Sequence, residues 1–398
     1  MVRLAYLFCL MSMVMCLQGC KESYSHADVK KIVSKASYFH DGLDDLTSVI
    51  VHDIFSPPVA SRVYVYPCIA AYEVLASAQK DMISLAGRVD GLKQIQPPTD
   101  TMHLSYEVAA LTAFYKVGTA LIFSEQKLEA QAQHYFDELD SLGVPASVLS
   151  ASRKYGELVA SQILSWADKD NYKESRSFSK YSISDDPARW KPTPPAYMEG
   201  IEPHWNKMRT LVLASSDQFR CAPPPKYSMK QGSEFRTKTE EVYEVGISLT
   251  EEQKAIASFW DCNPFVMNQT GHIMFGTKKI TPGGHWMGIA NVASETARHD
   301  LAHSIHTATL VSIALYDAFI ACWDEKYRSV LVRPETVIQE HLDEDWAPLL
   351  QTPPFPEHTS GHSVISTAAA TVLTALLGDG FRYVDDVELK YGLSLIHI

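Results

Sequence analysis

The sequence predicts an all-α protein built as one large helical bundle. Apolar residues recur at three- and four-residue intervals through most of the chain. Helix-start and helix-stop residues bracket those runs. No stretch alternates convincingly as a half-buried strand would, and no internal repeat is present. With 398 residues and 46% hydrophobic content, the chain can bury a sizeable core. Its formal charge of −12 argues against nucleic acid as the main partner, because DNA or RNA binding needs a basic face. One small cationic pocket is still compatible with that balance.

Residues 1–20, "MVRLAYLFCLMSMVMCLQGC", carry one early positive charge, Arg3, and an apolar run too short for a usual membrane span. They read as an export signal rather than as part of the fold. The ending Leu17-Gln18-Gly19-Cys20 resembles a bacterial lipobox, which implies lipidation of Cys20 and a cell-envelope protein touching the membrane only through its lipid anchor. Losing the signal removes only Arg3 among charged residues, taking −12 to −13. Four cysteines then remain, with no CxxC pair. Cys68 and Cys322 lie in apolar helical patterns and are expected as buried thiols. Cys221 and Cys262 lie near predicted loops, where an oxidising compartment allows them to pair.

Helices are predicted over 61–80, 105–123, 124–142 and 150–169. From about 171 to 235 the pattern breaks into Pro, Ser, Lys and Tyr, yet Trp190, Trp205 and several tyrosines remain. That composition suits a segment wrapped over the helices better than a free linker. Thr250 and Gln253 have capping-box spacing at the next helix start. After "PGGHW" (282–286) the spacing predicts a nearly unbroken helical region to Val332, stopped by Pro334. The last helix is predicted over 363–378, with Gly378 as its stop. No stretch after the signal reaches about 18 uninterrupted apolar residues.

Two stretches carry candidate chemistry. In "KYRSVLVRP" (326–334), Lys326 and Arg333 are two helical turns apart, so one helix would project both cations from one face, roughly 10 Å apart along its axis. In "HTSGH" (358–362), Thr359 or Ser360 can cap a helix whose first N–H groups face outward with the positive end of its dipole. Gly361 leaves the approach to those groups open, Ser360 can donate a hydroxyl, and His362 can exchange protons near neutral pH. Each stretch alone also fits an ordinary solvated surface or an ordinary helix start. Together they suit a tetrahedral or trigonal-bipyramidal oxyanion.

The joint pattern, K-x6-R-P followed by P-x-x-x-S-G-H, resembles the signature shared by vanadium-dependent haloperoxidases and type 2 phosphatidic acid phosphatases (PAP2). The flanks "ALYDAFIACWDEKY" and "TPPFPEHTSGHSVIS" look like the soluble bacterial haloperoxidase-like branch, and the strong resemblance covers about 285–378. It implies an all-α bundle of that type over residues 21–392, with the PAP2-type core from about 285. By the resemblance, Lys326, Arg333, Ser360 and the Gly361 N–H would bind vanadate as cofactor, or a phosphate group in the phosphatase reading. His362 would be the acid–base. The implied activity is peroxide-driven oxidation of halide, and the alternatives are a soluble acid phosphatase acting on phosphate esters or a non-catalytic surface lipoprotein that binds anions or glycans. Val332 and Thr359 depart from the commonest pattern without removing a ligand.

The family's third motif, S-R-x5-H, occurs nowhere in the sequence, so the axial histidine that ligates vanadium in haloperoxidases is absent from it. Ser61-Arg62 has Cys68 at the histidine position. The final residues 393–398, "LSLIHI", match the translation of a sequencing-library transposon end, which implies a truncated reading frame and an inactive chain. A rival metal reading comes from "HDLAHSIH" (299–306). It would place His299, His303 and His306 on one helical face as zinc ligands, with Asp300 in the place of a catalytic glutamate.

Overall fold

A computed structural model describes residues 26–99, 101–270, 273–276 and 278–391. The expected lipidation site Cys20 and the tail 393–398 lie outside the described residues. The architecture is the predicted helical bundle. Its first half comprises α1 (His26–Val33), α2 (Ser37–His52), α3 (Pro57–Ala76), α4 (Tyr106–Ala120), α5 (Glu125–Ser141), α6 (Ala146–Ala167) and the single turn α7 (Tyr172–Ser175). Its second half comprises α8 (Glu234–Ile247), α9 (Glu251–Phe259), α10 (Pro282–Thr296), α11 (Leu301–Ser329), α12 (Pro334–His341) and α13 (Gly361–Leu377). A small antiparallel hairpin, β1 (Met267–Thr270) and β2 (Ile273–Gly276), interrupts the second half. The strand pair was not foreseen, since four-residue strands are too short to show alternation.

The centre is made by two helices that are apolar nearly all round. In α3 every residue from Pro57 to Leu75 is buried, and Pro57-Pro58 start it where missing N–H groups cost nothing. This helix packs on α4 and on α11. The close approach of α4 and α6 depends on Gly156, where an added Cβ would lie 2.5 Å from the Ala109 carbonyl oxygen. Helix α11 has the length and mean hydropathy (1.5) of a membrane span, but 72% of that stretch is buried inside the bundle, as in a core helix. On its other side α11 packs on α10 and α13.

Several boundaries follow the sequence signals. Thr250 and Gln253 form the full capping box at α9. Ser360 caps α13, accepting from the Ser363 N–H, and Gly378 ends it with φ +88°. The 171–235 segment does wrap over the bundle, with Trp190 and Trp205 fully buried. The predicted unbroken run from 282 to 332 instead splits, because Asp300 caps a new helix by accepting from the His303 N–H. That split also removes the zinc reading. His299 precedes α11 and His306 packs on Tyr72, so the three histidines do not share one helical face. Cys68 and Cys322 are buried thiols, as expected. Cys221 and Cys262 do not pair: both are free, one exposed and one buried.

Candidate active site

Lys326 lies in the last turn of α11 and is 1% exposed. The helix does not continue to Arg333. It stops at Ser329, and Val330 caps it in the left-handed region at φ +49°. Pro334 starts α12 rather than ending α11, and Arg333 is its extended N-cap, φ −77° and ψ 144°. The expectation of two cations on one helical face is therefore corrected. A residue before proline is pushed out of the helical region, and proline is well suited to the first helical position. The short link 331–333 is held by neighbours, with the Val332 N–H donating to the Ala188 carbonyl at 3.0 Å.

That turn brings both cations onto one loop, residues 353–359. Lys326 Nζ donates to the carbonyls of Pro356, Glu357 and Thr359 at 3.0, 3.2 and 2.6 Å. Arg333 donates through Nε to the Phe355 carbonyl (2.7 Å) and through Nη2 to the Pro353 carbonyl (3.2 Å). Its Nη1 meets the Glu357 carboxylate at 2.5 Å. The Phe355 ring lies under both charges, its centroid 4.8 Å from Lys326 Nζ and 4.9 Å from Arg333 Cζ. Burial lowers the Lys326 ammonium to about 8, with Arg333 adding to the shift against Cys322 and Glu357. Burial by itself would raise the Glu357 carboxyl, but Arg333 and then Lys326 outweigh it and hold it below its usual value.

The loop then runs into α13. Ser360 Oγ accepts from the Ser363 N–H at 3.2 Å and from the Ser363 hydroxyl at 3.0 Å, so its own hydrogen is left to donate. An added Cβ at Gly361 would meet no protein atom within 4 Å, so a side chain there would displace only what fills the cavity. Lys326, Arg333, Glu357, Ser360, Gly361 and His362 border one cavity of about 300 Å³. His362 also borders a wider, more open cavity of about 1080 Å³ with Trp286 and Arg382. Desolvation lowers the His362 imidazole below its ordinary value, against a favourable contact with the Trp260 backbone.

All five candidate residues named for the oxyanion site thus meet at one cavity. Glu357, missed by the sequence reading, sits between the cations as an internal anion; its only signal was an acidic residue inside a cationic motif. Trp260, which walls both cavities, had no signal at all. The lookalike Ser61-Arg62 is spent elsewhere. Arg62 pairs with Asp170 at 2.6 Å, deep in the first half of the bundle.

A family description, the VCPO second helical-bundle domain, matches residues 306–396, a stretch that contains all five candidates. The crystal structure of a bacterial vanadium-dependent iodoperoxidase superposes with a TM-score of 0.85 at 47% identity, covering 90% of this chain and 85% of that one. The chain belongs to the vanadium-dependent haloperoxidase family. Two structures of bacterial vanadium-dependent chloroperoxidase share the fold at lower identity. The holo form matches at TM-score 0.66 and 15% identity, covering 89% of this chain and 84% of that one. The apo form matches at 0.59 and 16%, covering 81% and 77%. A search of curated proteins gives no match. Membership makes the protein an enzyme of the haloperoxidase superfamily, and the all-α expectation is borne out in its bundle.

Proposed function

We propose that Lys326, Arg333, Ser360 and the Gly361 N–H hold vanadate, and that the protein serves peroxide-driven halide oxidation with His362 as its acid–base. One observation carries this. Two cations, 1% and 8% exposed, share one cavity with two carboxylates, Glu357 and Asp261, and Asp261 is already paired with Lys279. Counting Lys279, which neutralises Asp261, the formal sum is +3 − 2 = +1 before the α13 dipole is added, which fits a bound oxyanion. The iodoperoxidase relative supports iodide as the halide.

Lys326 and Arg333 would neutralise anionic oxygens, the Ser360 hydroxyl and Gly361 N–H would donate to further ones, and a ring nitrogen of His362 would take or return a proton beside them. Lys326 has all three hydrogens on carbonyls, so an entering anion must draw one away. When bound, vanadate would supply an electrophilic centre for activating peroxide.

The test is calorimetric titration of the purified chain with vanadate, with phosphate as competitor, beside iodide-oxidation and phosphate-ester assays. Saturable vanadate binding lost in Arg333→Ala supports the cage, and no binding by folded protein sinks it. Iodide turnover above the Arg333→Ala level supports the haloperoxidase reading, while ester cleavage without iodide oxidation would move the protein to the phosphatase reading.

A further inference from the structure

Behind Trp260, three side chains of metal-ligating type converge from segments far apart in sequence. Cys262 follows α9, His285 lies in the first turn of α10, and Glu388 lies in a 3-10 turn, Val387–Tyr391. All three are buried, at 2, 0 and 3% exposure. Their donor atoms form a small triangle. Cys262 Sγ lies 3.6 Å from His285 Nδ1 and 3.8 Å from Glu388 Oε1, and Nδ1 lies 3.4 Å from Oε1. Bond lengths of about 2.3 Å for Zn–S and about 2.0–2.1 Å for Zn–N and Zn–O set tetrahedral edges of roughly 3.5 Å for the sulfur pairs and roughly 3.3 Å for N–O. The observed triangle is within a few tenths of an ångström of that figure.

A second, independent feature points the same way. The far nitrogen of His285, Nε2, meets Asp385 Oδ2 at 2.8 Å. A carboxylate on the outer nitrogen fixes the tautomer and turns the other nitrogen toward the triangle, which is how metal-bound histidines are held. Trp260 stacks on the ring at 4.8 Å and holds its plane. No lysine or arginine forms a salt bridge with Glu388 among the described residues. Lys279 acts on it only at longer range, and a buried carboxylate without a directly paired lysine or arginine is costly.

We propose that Cys262, His285 and Glu388 bind one zinc ion, with Asp385 orienting the histidine and a water taking the fourth position. Cys262 gives up its thiol proton to solvent on binding. The ion's two positive charges then match its two anionic ligands, one thiolate and one carboxylate, with the Asp385 carboxylate held outside that sum by His285. Cys262 also borders the oxyanion cavity, which supplies a route for the water. Zinc here ties the end of α9, the start of α10 and the 385–391 segment together behind the wall that faces His362. The site does not depend on what the oxyanion cavity binds.

The test uses the full chain, stripped with chelator and reloaded. Zinc measured by mass spectrometry should come to one per chain, with cobalt(II) giving a thiolate charge-transfer band. Cys262→Ser and His285→Ala should lose both, and His303→Ala should keep both. X-ray absorption of the zinc-loaded wild type should show one sulfur at about 2.3 Å, which tests the proposal even where a variant fails to fold. Folded wild type that takes up no zinc, uptake unchanged in Cys262→Ser, or a zinc shell without sulfur would each overturn it, leaving a hydrogen-bonded cluster.

Discussion

Two regions of this bundle bury positive charge, and they do it differently. In the first half, Arg62 is 5% exposed and faces Asp170, itself 1% exposed. Asp170 also accepts from the Tyr66 hydroxyl (2.9 Å) and the Tyr172 N–H (2.9 Å), so both its oxygens are engaged. In the second half, Lys326 is buried just as deeply but meets only backbone carbonyls, and Arg333 meets a carboxylate that is 38% exposed. The first pair is closed. The second pair carries charge that the protein itself does not fully neutralise, and it opens on a cavity. Burial of a cation therefore does not by itself mark a binding site; what marks it is the missing buried counter-charge.

The comparison breaks most sharply at Asp170. Asp170→Ala leaves Arg62 buried and unpaired and should cost about 3–5 kcal/mol in denaturant unfolding. Lys326→Met should cost less than half as much, because the freed carbonyls face a cavity that water can enter. Equal losses would mean that Lys326 is as structural as Arg62. In anion binding the order reverses. Arg333→Ala should lower vanadate or phosphate affinity by roughly ten- to hundredfold, the scale of one charge-assisted hydrogen bond of about 1.5–3 kcal/mol. Asp170→Asn, if it folds, should leave that affinity within a few-fold of wild type by calorimetry.

The pH dependence sharpens the contrast further. Lys326 is lowered to about 8 in the free protein, while an unfolded lysine titrates near 10.5. Between those values the unfolded state holds the extra proton, so this residue makes stability rise with pH across the window. A bound anion favours the protonated lysine, so phosphate affinity should fall up to about tenfold per pH unit above 8. Lys326→Arg cannot lose its proton in that range and should flatten the decline, which isolates the lysine from the anion's own ionisation. The smallest effect is expected at Glu357. Removing the internal anion in Glu357→Gln should raise oxyanion affinity by a few-fold to about tenfold, one pKa unit's worth of interaction. No change would show that the carboxylate swings clear when the anion enters.

Much of this was legible in the sequence, and the limits have physical causes. Helix periodicity is a local property, so α3 to α6 and α13 could be placed from residue spacing, and so could the caps at Thr250 and Ser360. The five oxyanion residues were found because their spacing carries a signature over some 36 positions, 326 to 362. What the spacing could not reveal was how they meet. Lys326 and Arg333 come together through a left-handed Val330 and an extended Arg333, not along one helix, because Pro334 acts on the residues before it.

Composition, periodicity and motif spacing by themselves determined the helical class, the core helices and the family, since each depends on neighbours in sequence. Tertiary structure alone decided which charges are closed and which are open. It set Asp170 against Arg62 across 108 positions and Glu357 against Arg333, and it gathered Cys262, His285 and Glu388 from three separate segments. Desolvation and pairing depend on what packs around a group from distant parts of the chain, and no local pattern records that.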